Sequence, residues 1–275
     1  MRSIRRRRLV FVTGGRGFLG RHLVGAASTV KWPPGWEVIA PPSNQLDVRD
    51  RASVIDEIRA WKPAAVVHLA YRRDDPRAIV TASANVAAGA TAVGARLVHL
   101  STDVVFAGRL RPYLESDLPN PITDYGRWKA AAEREVADAC PGAVIVRTSL
   151  IYGTEQLAPV QTDVQDALTG RTSMSFFTDE LRCPVHAADL AAAIVQLAGR
   201  RDVTGPLHVA GPEAIDRASL ARLIARWLGL DPRSVQASTI LESGLNRPAR
   251  VVLDVGQAES IGITCRPVSE VLRSP

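Results

Sequence analysis

Short apolar runs alternate with longer amphipathic stretches along the first 150 positions. Residues 9–12 (LVFV), 37–40 (EVIA), 65–69 (AVVHL), 96–100 (RLVHL) and 143–147 (AVIVR) are bounded by polar or turn-forming residues. Each reads as a short strand, most of them buried on both faces. Between them the spacing predicts helices over 18–27, over 51–61 with Asp50 as cap, and from Asp74 to 93 with Pro76 in the first turn. A further helix is predicted over 125–137, with Asp124 as its cap. Strands alternating with helices imply an α/β chain with a doubly wound parallel sheet. Beyond Arg147 the pattern loosens. Residues 151–153 read as a loop, 159–168 as a helix, 173–177 as a strand, 187–197 as an Ala-rich helix, 207–210 as a strand and 219–228 as an amphipathic helix. The expected organisation is a basic tail over 1–8, a nucleotide-binding core over 9–150, and a small C-terminal substrate-binding lobe, mainly 151–275, interleaved with the core.

The first strand runs directly into Gly14, Gly17 and Gly20, three apart, with Phe18 and Leu19 between the last two. Strand, glycine loop and helix make the first turn of a Rossmann-type dinucleotide site. The glycines allow a tight turn and close backbone approach to a pyrophosphate. The second strand ends at Ala40-Pro41-Pro42, with no acidic residue for a ribose 2′-hydroxyl. Arg16 in the loop can meet a 2′-phosphate instead. Both features favour NADPH over NADH, while leaving NADH open.

Tyr125 and Lys129 are four apart and share a helix face. The chain has four Tyr and three Lys, so random placement gives only about 0.04 pairs at this spacing. An ammonium beside a phenol favours the phenolate and lowers the Tyr pKa from about 10 towards neutrality. Thr102, just after the fourth strand, is placed to hold a carbonyl oxygen beside that phenol. His68 lies inside an apolar run and reads as a core histidine.

Composition adds bounds. At 275 residues and 46% apolar content the chain can bury a large core. Cys140, Cys183 and Cys265 are far apart, which argues against a disulfide framework or zinc site and fits a reducing cytoplasm. The net charge of +6 includes a run at Arg5–Arg8. The apolar stretch after it is too short for an export signal, and no stretch reaches a membrane span. No basic stripe interleaved with aromatics follows, so nucleic acid is not expected; a cleft for an anionic substrate accounts for the charge.

Several longer segments add a resemblance. They are TGGRGFLG at 13–20, LDV at 46–48, VVHLA at 66–70, NVAAGA at 85–90, VHLSTDVVFAG at 98–108, PYLESDLPNPITDYGRWKAAAE at 112–133, VIVRTSLIYG at 144–153, RPARVVLD at 247–254 and IGI at 261–263. Together they resemble the extended short-chain dehydrogenase/reductases, and most closely the dTDP-4-dehydrorhamnose reductase family. The resemblance implies that Tyr125 is the general acid. It implies that Lys129 binds the nicotinamide ribose and lowers the Tyr pKa, and that Thr102 bonds the substrate carbonyl. It places Gly14, Gly17 and Gly20 at the pyrophosphate, Asp47 and Val48 near the adenine, and Leu69, Ala70 and Tyr71 along the cofactor. An Arg at the position of Arg16 meets the NADPH phosphate in the similar GDP-fucose synthases.

There are departures. Val104 stands where this family often has Tyr, close to the sugar and next to Asp103. Residues 180–186 (ELRCPVH) look more like the general sugar-epimerase pattern. Arg182 there reads either as a contact to a nucleotide pyrophosphate or as a plain surface Arg. Some rhamnose reductases hold a metal at a dimer contact; no ligand cluster here matches one, so a homodimer is allowed and a metal is not expected. The resemblance implies NAD(P)H-dependent reduction of a 4-keto group on a nucleotide-activated deoxysugar. Two alternatives stay open: a non-catalytic, cofactor-binding regulatory subunit, and a nucleotide-sugar epimerase or dehydratase.

Overall fold

The computed structural model describes residues 8–24, 28 and 30–273, so all of the expected basic tail except Arg8 lies outside the described residues. In chain order the elements begin with β1 (Arg8–Thr13), α1 (Phe18–Leu23), β2 (Trp36–Ile39), α2 (Arg51–Trp61), β3 (Ala65–His68), α3 (Ala82–Ala92), β4 (Arg96–Leu100), α4 (Asp124–Ala139) and β5 (Val144–Arg147). They continue with β6 (Ile151–Tyr152), α5 (Pro159–Leu168), β7 (Phe176–Phe177), β8 (Leu181–Arg182), β9 (Val185–His186), α6 (Ala187–Gly199) and β10 (Gly205–His208). The last are β11 (Ile215–Asp216), α7 (Arg217–Trp227), β12 (Ala237–Ser238), α8 (Ile240–Ser243), α9 (Gly256–Ser260) and α10 (Val268–Val271).

Six strands form one sheet in the order β10-β5-β4-β3-β1-β2. From β5 to β2 every neighbouring pair is parallel. The chain leaves β1 towards β2 and then returns to β3 on β1's other side. That reversal puts a switch point between β1 and β3, and ligands of such sheets bind outside the carboxyl ends of the strands there. Val10, Phe11 and Val12 have no exposure at all, as expected of a strand covered on both faces.

The chain divides into two compact units. The first comprises residues 1–101, 128–146 and 191–207. Its core brings Phe11, Val66, Leu97 and Ile145 from the strands against Val54, Ile58, Val86 and Val136 from the helices. The second comprises residues 102–127, 147–190 and 208–275. It is built on three short strand pairs, β6 with β9, β8 with β11 and β7 with β12. Buried Phe106, Tyr152, Leu220 and Ile224 anchor it.

Several boundaries differ from the sequence reading. The helix expected to reach Ala27 ends at Leu23, and Val24 is already extended; residues 25–27 lie outside the described residues. The helix expected from Asp74 starts as a wide turn over Arg77–Thr81, where the Asp75 carboxylate accepts from the Arg77 and Ala78 amides. Residues 151–153, read as a loop, include β6, which exists because β9 pairs with it from 34 positions away. The strand expected over 207–210 occupies Gly205–His208. The Asp50 cap forms as expected, accepting from the Ala52 and Ser53 amides.

Candidate active site

The glycine loop lies at the carboxyl end of β1, beside the end of β3. Gly14 has φ +74°, a conformation that favours glycine, and a Cβ there would lie 2.7 Å from the Ala70 amide nitrogen. A Cβ at Gly20 would overlap the Gly14 carbonyl oxygen. The Gly17 amide donates to that same oxygen at 3.0 Å. The chain is thus folded on itself with bare backbone at Gly14 and Gly17, a cradle that fits a pyrophosphate. Leu69 and Ala70 form its wall. Phe18 and Leu19 open α1, with Leu19 in the core.

A Cβ at Gly15 would press on the Ala40 side chain at 2.7 Å, so the end of β2 abuts the loop with no carboxylate there. Arg16 beside it is exposed. The turn after β2 carries Asp47 and Val48. The Arg49 guanidinium grips Asp47 at 2.8 Å and reaches Asp75 at 2.9 Å. The hydrogen bond from Arg49 brings the Asp47 carboxyl down to about 2. Asn85 on α3 donates to the Val48 and Arg49 carbonyls, both at 3.1 Å, and fixes this turn.

Thr102 opens a single tight turn over Asp103–Val105 and is half-buried. Its hydroxyl accepts from the Val104 amide at 3.4 Å and donates to Asp103 at 3.3 Å. A Cβ at Gly126 would overlap the Val104 carbonyl oxygen, so glycine at this position lets the turn pack on the first turn of α4. Tyr125, half-buried, precedes that glycine.

Lys129 follows Tyr125 by one helical turn on α4. It is only 6% exposed, and its Nζ donates to the Leu100 carbonyl at 2.8 Å. Tyr71, 52% exposed, turns its ring towards the ammonium, with its centroid 5.3 Å from Nζ. Burial pushes the Lys129 ammonium down to about 8, opposed by the Glu133 carboxylate.

Below Lys129 lie two buried histidines, His68 and His99, with ring centroids 5.4 Å apart. Thr13 Oγ1 is 2.7 Å from His68 Nδ1, and Ser83 Oγ is 3.3 Å from Nε2. Ser83 gives its own proton to the Ile79 carbonyl, so it accepts from Nε2–H, and Nδ1 accepts from Thr13. His68 is therefore a satisfied, neutral core histidine, brought by burial to about 3. His99 is lowered as well, again by burial, and neither ring nitrogen has a hydrogen-bond partner among the described residues.

Asp103 is buried. It accepts from Ser149 Oγ at 2.6 Å and faces Arg182 Nε at 3.7 Å. Burial raises its carboxyl above the usual range, against the pull of Arg182. Arg182 is not the surface residue that one reading allowed. Its side chain is 3% exposed, donates to the Pro248 carbonyl at 2.6 Å and lies 3.4 Å from Glu180. Glu180 in turn takes Arg247 at 2.6 Å. Arg182 thus ties β8 to the 248–250 segment inside the second unit. Val104 stays half-buried on the tight turn.

The structure brings Thr102, Asp103, Val104 and Tyr125 together in the second unit, and Gly14, Gly20, Leu69, Ala70, Tyr71 and Lys129 in the first. Sequence reasoning missed Asn85, Gly126, Ser101 and Glu133. For Glu133 a signal was present: it stands four residues after Lys129 on the same helix face. Among the described residues no group of His, Cys, Asp and Glu side chains could hold a metal ion, and no helix is long and apolar enough to cross a membrane.

Comparison with known proteins places this arrangement. The family model described as the RmlD substrate binding domain matches residues 7–274. A dTDP-4-keto-6-deoxy-D-glucose reductase from Streptomyces niveus is 34% identical over 92% of this chain and 91% of that protein. The methionine adenosyltransferase 2 subunit beta of Rattus norvegicus is 30% identical over 93% of this chain and 83% of that protein. Among solved structures, the dTDP-4-dehydrorhamnose reductase from Bacillus anthracis in complex with NADP superposes with a TM-score of 0.86 at 25% identity, covering 97% of each chain.

Proposed function

This chain belongs to the RmlD substrate binding domain family, and on that premise we propose that it is an NAD(P)H-dependent oxidoreductase that reduces a 4-keto group on a nucleotide-activated deoxysugar. The observation that carries the reading is the Tyr125–Lys129 pair on α4, with the Lys129 ammonium buried and anchored on the Leu100 carbonyl. The Streptomyces niveus relative is named for reduction of such a sugar, and the Bacillus anthracis structure is of a reductase with NADP.

NADPH would supply the hydride to the keto carbon. The chain's own residues do the rest. Gly14, Gly17 and Gly20, with Phe18 and Leu19, hold the pyrophosphate against bare backbone. Arg16 meets the 2′-phosphate where β2 offers no carboxylate, which favours NADPH while leaving NADH usable. Asp47 and Val48 border the adenine, and Leu69, Ala70 and Tyr71 line the cofactor. Lys129 holds the nicotinamide ribose and favours the Tyr125 phenolate. The Thr102 hydroxyl turns from Asp103 to the keto oxygen, and Tyr125 delivers its proton to that oxygen as negative charge develops there. Asp103 and Val104 border the sugar; Arg182 serves from inside the unit, by holding Asp103. Residues 151–275 form most of the lobe that selects the substrate. The setting is cytoplasmic, a homodimer is allowed, and the partner is a small nucleotide sugar rather than a nucleic acid.

The test is oxidation of NADPH and NADH by the purified protein, with dTDP-4-keto-6-deoxyglucose alone and with a sugar epimerase added. Turnover in either arm supports the reading, and the arm identifies the epimer reduced. A second reading, a cofactor-binding regulatory subunit, is favoured by the 30% identity to a methionine adenosyltransferase subunit beta. Binding of NADPH with no turnover in either arm, together with one stoichiometric co-purifying protein, replaces the first reading with the second.

A further inference from the structure

Lys129 is buried among groups that cannot hold its charge by themselves. Burial removes water from an ammonium with three protons to place. The Leu100 carbonyl takes one of them. The end of β3 contributes His68 and the end of β4 contributes His99, both fully neutral at pH 7 because burial has driven their pKa values down. Tyr71 contributes a ring face. None of these groups carries a negative charge, and a protonated histidine at either position would repel the cation.

The carboxylate that acts on Lys129 comes from its own helix. Glu133 stands one turn after Lys129 on α4 and is 5% exposed. Side chains at this spacing on a helix are neighbours. Glu133 Oε1 accepts from the Ser101 hydroxyl at 2.5 Å, with Ser101 itself buried at the end of β4. That bond ties the carboxylate to the strand whose last carbonyl, Leu100, receives the Lys129 proton. Leu100, the last residue of β4, and Ser101 directly after it thus fix both the cation and its counter-charge.

We infer that Glu133 is a positioning residue whose carboxylate, oriented by Ser101, keeps Lys129 protonated in its buried seat. Its role in the reaction, holding Tyr125 acidic through Lys129, rests on the reading of function above. The role as counter-charge does not. A glutamine at this position keeps the length and an Oε1 that can accept from Ser101, and carries no charge.

The chain offers a direct readout because it has three lysines, Lys31, Lys62 and Lys129, of which the first two are exposed. Selective isotope labelling of lysine gives three side-chain resonances, and Lys31→Arg and Lys62→Arg assign the exposed two. The full chain is titrated without cofactor. In the unaltered protein Lys129 should titrate at about 8. In Glu133→Gln it should titrate lower by about 1 pH unit or more, the usual effect of losing a close opposite charge. Glu133→Asp should recover part of the difference. Ser101→Ala should move Lys129 the same way by less. An unchanged Lys129 titration in folded Glu133→Gln overturns the inference; if that variant does not fold, an unchanged titration in Ser101→Ala overturns it. The alkaline limb of the turnover profile should move down with Lys129 in the same variants. An unaltered protein that lacks turnover refutes the reading of function, while the lysine titration still decides the role of Glu133.

Discussion

Replacing Lys129 by Met should make the protein more stable at neutral pH relative to its behaviour in alkali, while abolishing turnover. The side chain is 6% exposed, and burial brings its pKa from 10.5 to about 8. Below pH 8 folded and unfolded chains both carry the proton, and the folded state bears the full cost of the buried charge. Between pH 8 and 10.5 the unfolded chain binds more protons, so stability rises with pH. A separation of about 2.5 pH units at about 1.36 kcal/mol each amounts to about 3 kcal/mol at pH 7, of which most has gone by pH 10. Methionine has no charge to bury and fills a similar volume. It leaves the Leu100 carbonyl without its donor, at a cost of about 1–3 kcal/mol. At pH 7 the two effects nearly cancel, and the variant should lie within about 2 kcal/mol of the unaltered protein. At pH 10 only the cost remains. Urea unfolding at pH 7 and pH 10 measures both differences. The stability of the variant relative to the unaltered protein should fall by about 2–3 kcal/mol between the two pH values. A change below about 1 kcal/mol would refute the account of Lys129 as a buried cation held at a depressed pKa.

Three other outcomes follow from the same geometry. Tyr125→Phe keeps the ring and removes the proton, so turnover should fall by about 10²-fold or more with NADPH affinity unchanged by fluorescence titration. Arg16→Ala should weaken NADPH by about 10-fold and leave NADH almost unaffected, measured as the ratio of the two dissociation constants; equal losses would show that Arg16 does not meet the 2′-phosphate. Gly126→Ala forces a Cβ onto the Val104 carbonyl, so the turn that carries Thr102 must shift. Steady-state kinetics and thermal unfolding should show lower turnover and a stability loss of about 1–3 kcal/mol, with cofactor affinity retained.

What was legible in the chain was local. The glycine spacing, the apolar runs and the Asp50 cap each depend on neighbours a few positions away, and they predicted the parallel sheet and the Asp50 cap. Tyr125 and Lys129 were found because a helix turns every four residues, roughly, and holds them on one face. Short strands such as β6 were not legible, since two residues become a strand only when a distant partner pairs with them.

The electrostatic state of the site was decided by tertiary structure. Arg182 carries the same letters as any surface arginine; it is buried because Asp103, Glu180 and the Pro248 carbonyl surround it from three separate segments. The sequence spacing of Tyr125 and Lys129 predicted a cation beside a phenol, but not that Lys129 is itself close to losing its proton. That depends on how much water the folded chain excludes and on the Glu133 carboxylate, which Ser101, just after β4, holds on α4. Residue order sets which groups share a helix face or a turn. Burial and charge balance are sums over groups far apart in the chain, and only the folded molecule evaluates them.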